Sequence, residues 1–149
     1  MDDPRGLAVV GEGAIVGEGA IVRSRLRVLH VDDDPETLTL VQMILDGEPD
    51  VEVLSCSGAV EALHAVTTTS VDLLLLDVMM PGIDGPALLA ELRTRPGLGH
   101  LPALFVTAKA HPRDLEALAQ TSASGIIRKP FEASALIAAV RRSMAPTAI

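Results

Sequence analysis

The sequence predicts an α/β fold: a doubly wound, five-stranded parallel sheet with helices on both faces. Three observations lead there. Five aliphatic runs alternate with five helix-like segments over residues 26–145. The runs are almost continuously apolar rather than alternating in and out, as strands covered on both faces must be. The chain of 149 residues, 48% hydrophobic, has room for one domain around one core.

The first strand is LRVLHV (26–31), β-branched and mostly apolar. DDDPETLTLVQMILDGE follows as a helix, with Leu38, Val41 and Leu45 at helical spacing and Pro35 suited to a first turn. VEVLSC (51–56) is the second strand, and SGAVEALHAVTTT the second helix with Ser57 as N-cap. VDLLLLD (71–77) is the third strand, and GPALLAELRTR the third helix, stopping before Pro96. PALFVTA (102–108) is the fourth strand and PRDLEALAQTSA the fourth helix. GIIRK is the fifth strand, and EASALIAAVRRSM closes the fold. Right-handed crossovers turn this order into a doubly wound sandwich, whose ligands sit beyond the carboxyl ends of the strands.

Residues 1–25 differ in character. GEGAIV occurs in tandem at 11–16 and 17–22. Two hexads are too few to stack into a repeat fold, so this segment is expected to be a flexible Gly-rich extension. Residues 146–149 are expected to form a short tail.

Bulk composition excludes several functions. A net charge of −8 argues against non-specific binding to nucleic acid or to an anionic membrane. No apolar run approaches the roughly 20 residues of a membrane span. The acidic start MDDPRG, with Glu12 and Glu18 interrupting the apolar stretch, is unlike a secretory leader. The one cysteine, Cys56, can make no internal disulfide, which suits a reduced, cytoplasmic setting.

The strand ends carry the chemistry. Asp32, Asp33 and Asp34 follow the first strand; Asp77 ends the third, Thr107 the fourth, and Lys129 with Pro130 the fifth. In a parallel sheet these ends share one edge. Clustered carboxylates repel one another and raise each other's pKa unless compensated. A hard cation is the natural remedy, and carboxylates with a backbone carbonyl and waters suit Mg²⁺. Flanked by such an ion and by Lys129, Asp77 is a usable oxygen nucleophile. Its product would be an acyl phosphate contacted by Mg²⁺, Lys129 and Thr107. The turn MMPGIDG lets the chain leave the strand tightly while Met79 offers its carbonyl. Taken singly, the acids read as a helix cap, Thr107 as another cap and Lys129 as a solvated strand exit. Together at one edge they are improbable as coincidence.

VLHVDDDPETL, LLLLDVMMPGIDG, ALFVTAKA and IIRKPF, in this order and at these spacings, resemble the receiver domain of two-component response regulators over residues 26–145. The resemblance implies a flavodoxin-like sheet in the order 2-1-3-4-5. It implies that Asp77 is the phosphoacceptor and that Asp32 and Asp33 are the acidic pair. Asp33, Asp77 and the Met79 carbonyl would touch Mg²⁺, with Asp32 completing the metal site. Thr107 matches the switch hydroxyl, and Lys129 the phosphate-binding lysine before a cis-linked Pro130.

The partner implied is a sensor histidine kinase or phosphotransfer protein. A downstream protein would be contacted in trans, without direct binding to nucleic acid and with at most slow autodephosphorylation. Two departures concern output. Ile126 stands where family members often have Tyr or Phe. Ser124 and Gly125 stand where acidic residues often pair across a dimer of the fourth and fifth helices, which leaves that dimer open.

Two rival readings are weaker. A haloacid-dehalogenase-like phosphatase wants D-x-D-x-[TV], and although Asp32 and Asp34 have the spacing, the next motif position is Glu36. An unphosphorylated interaction module has no need of the complete Asp32, Asp33, Asp77, Thr107, Lys129 set. His30, His64, His100 and His111 are scattered, and each reads as an ordinary side chain.

Overall fold

The computed structural model describes residues 25–109 and 111–144 and the backbone of 14–16 and 20–22. β1 (Ala14–Val16) pairs antiparallel with β2 (Ala20–Val22), forming a two-stranded sheet separate from the main one. The rest of the expected flexible extension, and the tail at 146–149, lie outside the described residues.

The main sheet contains β3 (Leu26–Val31), β4 (Val51–Cys56), β5 (Leu73–Asp77), β6 (Ala103–Thr107) and β7 (Gly125–Arg128). Its order is β4-β3-β5-β6-β7 and every pairing is parallel. Counted from Leu26 this is 2-1-3-4-5, the order the resemblance implies. The helices are α1 (Pro35–Asp46), α2 (Ala59–Ala65), α3 (Gly85–Arg93), α4 (Pro112–Ala119) and α5 (Ala133–Met144).

Strand alternation sends neighbouring side chains to opposite faces, and each face has its own apolar layer. Leu29, Val31, Leu74, Leu76 and Phe105 pack with Ala62 of α2, Leu88 and Leu92 of α3 and Leu118 of α4. Val28, Leu73, Leu75, Leu104 and Val106 pack with Val41 and Leu45 of α1 and Leu136 and Val140 of α5. Because both faces are covered, all four leucines of β5 are fully buried. Truncating any of them to alanine costs about 2–5 kcal/mol through lost transfer energy and the cavity left behind.

Local chemistry sets the helix starts. Asp34 caps α1, accepting the Glu36 N–H at 3.1 Å, and Pro35 opens the first turn. Asp84 caps α3 by accepting the Ala87 N–H at 2.9 Å. Ser57, expected as the N-cap of α2, does not serve: Gly58 holds that position without a side-chain bond. The carboxylate of Glu61 reaches back over the first turn instead, accepting from the Ser57 backbone N–H and, at 2.9 Å, from its hydroxyl. Arg141, near the end of α5, clamps the α1–β4 turn through Asp50 and Glu48. Among the described residues no helix is long and apolar enough to cross a membrane.

Candidate functional site

β3, β5, β6 and β7 all run in one direction, so Asp32, Asp77, Thr107 and Lys129 emerge at the same edge. Asp32 and Thr107 are essentially inaccessible and Asp77 is 5% exposed. Burying two carboxylates at the tips of apolar strands is costly unless something pairs with them.

Lys129 is that partner. Its Nζ lies 3.2 Å from Asp32 Oδ2 and 3.2 Å from Asp77 Oδ1, so one ammonium bridges both acids. Its peptide bond to Pro130 is cis, and its N–H donates to the Thr107 carbonyl at 2.8 Å. The other oxygen of Asp32, Oδ1, accepts the Asp34 N–H at 2.9 Å. Asp34 itself turns to the helix, where its Oδ2 accepts the Thr37 hydroxyl at 2.9 Å. The three consecutive aspartates are thereby divided: Asp32 inward, Asp33 exposed at the rim, Asp34 capping α1.

The electrostatics follow from this placement. Burial raises the Asp77 pKa to about 6, the nearby Asp32 charge adds to the rise, and Lys129 opposes it. Burial alone would lower the Lys129 pKa, but Asp32 and Asp77 outweigh it and the net shift is upward. Lys129 therefore stays an ammonium. One ammonium does not balance three acids, however. Oxygens of Asp32, Asp33 and Asp77 all lie within 4.8 Å of one another. This all-oxygen, anionic donor set fits a hard divalent cation.

Thr107 closes β6, and its Oγ1 accepts the Lys109 N–H at 3.0 Å. Met79, two residues beyond Asp77, is 54% exposed. The loop carrying it is folded tightly: Gly85 donates its N–H to the Val78 carbonyl at 2.9 Å, and Gly82 sits at φ 81°, which glycine adopts without strain. Every sequence-predicted site residue therefore lies on this edge or on its loops.

Two residues near the site were not legible as parts of it. His30 is fully buried one turn of alternation before Asp32, and strand parity was the available signal. Gly85 packs against the Asp77 backbone, a tertiary contact with no local signature.

Comparison with known proteins agrees with the geometry. The family model for the response regulator receiver domain matches residues 28–141. The DNA-binding response regulator MtrA of Mycolicibacterium smegmatis is 35% identical over 117 residues, which are 78% of this chain and 50% of that protein. The chain thus spans about half the length of that relative. Chemotaxis protein CheY4 of Vibrio cholerae superposes with a TM-score of 0.75 at 25% identity, over 80% of this chain and 98% of its own. The receiver domain of sensor histidine kinase PA1611 of Pseudomonas aeruginosa, solved with a magnesium ion in its active-site cleft, gives a TM-score of 0.73. At 23% identity, over 80% of this chain and 98% of its own, it shares the fold. With an acid-rich strand edge, a bridging lysine and a family match over most of its length, this chain belongs to the response regulator receiver domain family.

Proposed function

We propose that the chain is a phosphorylation switch that accepts a phosphoryl group on Asp77 from the phosphohistidine of a sensor histidine kinase or phosphotransfer protein. The observation that carries this reading is the Lys129 bridge: a cation 3.2 Å from Asp77 Oδ1, in an acidic cluster at the carboxyl edge of the sheet whose Asp32 and Asp77 are buried. An Asp77 oxygen attacks phosphorus. The new P–O bond forms as the P–N bond breaks, and the electron pair stays on the imidazole nitrogen. Lys129 can follow the charge from the carboxylate to the phosphoryl oxygens without leaving the site. Thr107, buried beside the strand end, would exchange its contact with the Lys109 N–H for one to the phosphoryl group.

Asp32, Asp33, Asp77 and the Met79 carbonyl would hold Mg²⁺. When bound, the ion offsets repulsion among the carboxylates and the charge on the phosphoryl group. The chain is then a switch rather than a turnover catalyst, with slow autodephosphorylation at most. Output to a protein in trans is supported by the net charge of −8, which disfavours contact between these residues and nucleic acid. The single cysteine is compatible with a cytoplasmic setting.

Incubation with a small phosphodonor, with and without Mg²⁺, tests the reading. Incorporation of one phosphoryl group that depends on Mg²⁺ is expected. Absence of incorporation in Mg²⁺ would contradict it.

A further inference from the structure

Four polar or charged residues are buried among the described ones: Asp32, Asp77, Thr107 and His30. Three belong to the site. His30 occupies β3 between Ser55 of β4 and Leu75 of β5, on the same face as Val28 and Asp32. Neither ring nitrogen has a hydrogen-bond partner among the described residues. An aliphatic residue would fill this strand position without leaving two polar atoms unpaired.

The ring is not far from a partner. Nε2 stands 4.0 Å from Asp32 Oδ2, with both side chains almost wholly enclosed. This is about one ångström beyond hydrogen-bond range. Whichever its protonation state, the imidazole carries at least one ring N–H to give.

Asp32 Oδ2 is also the oxygen that Lys129 holds. Its companion Oδ1 is already engaged by the Asp34 N–H. When Lys129 follows a phosphoryl group on Asp77, Oδ2 loses its donor inside a buried site. His30 is the side chain placed to replace it.

We propose that His30 is a positioning residue: its Nε2–H becomes the donor to Asp32 Oδ2 when Lys129 turns to the phosphoryl group, keeping Asp32 aligned in the activated state. This rests on the receiver reading above and extends it to a residue outside the acidic cluster. In the resting state the imidazole waits unpaired. In the activated state it is satisfied, so the contact favours activation.

The test is nitrogen-15 and proton NMR of the full chain in Mg²⁺, with and without beryllofluoride as phosphoryl mimic. The expected result is an Nε2–H tautomer whose proton moves downfield and exchanges more slowly when beryllofluoride binds. His30→Leu should leave thermal stability without beryllofluoride unchanged or raised, yet weaken beryllofluoride binding about tenfold, the worth of one charge-assisted hydrogen bond. His30→Gln, whose amide nitrogen reaches about as far as Nε2, should recover most of that loss.

A His30 signal that does not respond while the Asp77 loop amides do would overturn this inference and leave the receiver reading standing. Equal beryllofluoride affinity in wild type and His30→Leu, or no recovery in His30→Gln, would also overturn it. Loop amides that stay unmoved by beryllofluoride in wild type would overturn both. The wild-type spectrum decides even if the leucine variant fails to fold.

Discussion

The backbone of Gly85 lies directly against that of Asp77: a Cβ on Gly85 would be 2.5 Å from the Asp77 carbonyl oxygen and 2.9 Å from Cα of Val78. No real side chain tolerates such contacts, and the obstacles are backbone atoms that cannot rotate away. The start of α3 is thereby pressed onto the end of β5, with residues 78–84 looping out between them. Gly85→Ala should lower unfolding free energy by about 1–3 kcal/mol, the usual cost of overpacking. It should also weaken Mg²⁺ binding, because relief of the clash displaces Asp77. A urea midpoint equal to wild type would show that the loop relaxes freely.

A second prediction concerns pH in the absence of divalent ions. The folded-state pKa of Asp77 is raised to about 6 by burial and by Asp32. A carboxyl group with a raised folded pKa stabilises the fold below its unfolded pKa, and that contribution is lost as pH climbs through the folded value. Asp77→Asn removes the titration. Between pH 4 and 7 the variant should therefore gain about 2 kcal/mol relative to wild type. Mg²⁺ should shrink that gain by stabilising the ionised wild type. Parallel stability–pH curves for the two proteins would exclude strain at Asp77.

A third expectation is that residues 1–25 are dispensable for folding of the five βα units. Among the described residues β1 and β2 pair only with each other, in a separate sheet, and the main sheet begins at Leu26. A chain starting at Ser24 should keep a single cooperative thermal transition. Its loss would make the Gly-rich segment part of the core.

The lifetime of the acyl phosphate is the subject of a fourth. In receiver domains the side chains two beyond the phosphoacceptor and two beyond the switch hydroxyl flank the approach of hydrolytic water; here they are Met79 and Lys109. Both are exposed. Met79 cannot orient a water by hydrogen bonding, and the Lys109 side chain offers hydrogen-bond donors rather than an acceptor. Combining Met79→Asn with Lys109→Glu should speed dephosphorylation about tenfold, or about 1.4 kcal/mol of barrier. Radiolabel decay that is unchanged or slower would show that these positions do not gate the water.

Much of this protein was legible in its sequence because its strands are nearly pure aliphatic runs. LRVLHV and VEVLSC coincide with β3 and β4 to the residue. Helix ends were less legible. The fourth helix was expected to run through TSA, yet α4 stops at Ala119. There the hydroxyl of Thr121 bonds back to the Leu118 carbonyl, competing with further helix. Ser57 misled for a related reason, since Glu61 could reach it across the turn.

The acidic edge could be read because parallel topology collects strand ends whatever the packing. Contacts between distant segments could not. The pairing of Arg141 with Asp50 and Glu48, and the press of Gly85 on Asp77, depend on how helices settle against the sheet. Sequence spacing does not encode that settling.

The most direct measurement is mass-spectrometric mapping of phosphate after incubation with acetyl phosphate and Mg²⁺, in wild type and Asp77→Asn. The predicted result is phosphate on Asp77 in the wild type and none on the variant. Equal phosphate on both proteins would contradict the assignment of Asp77 as phosphoacceptor.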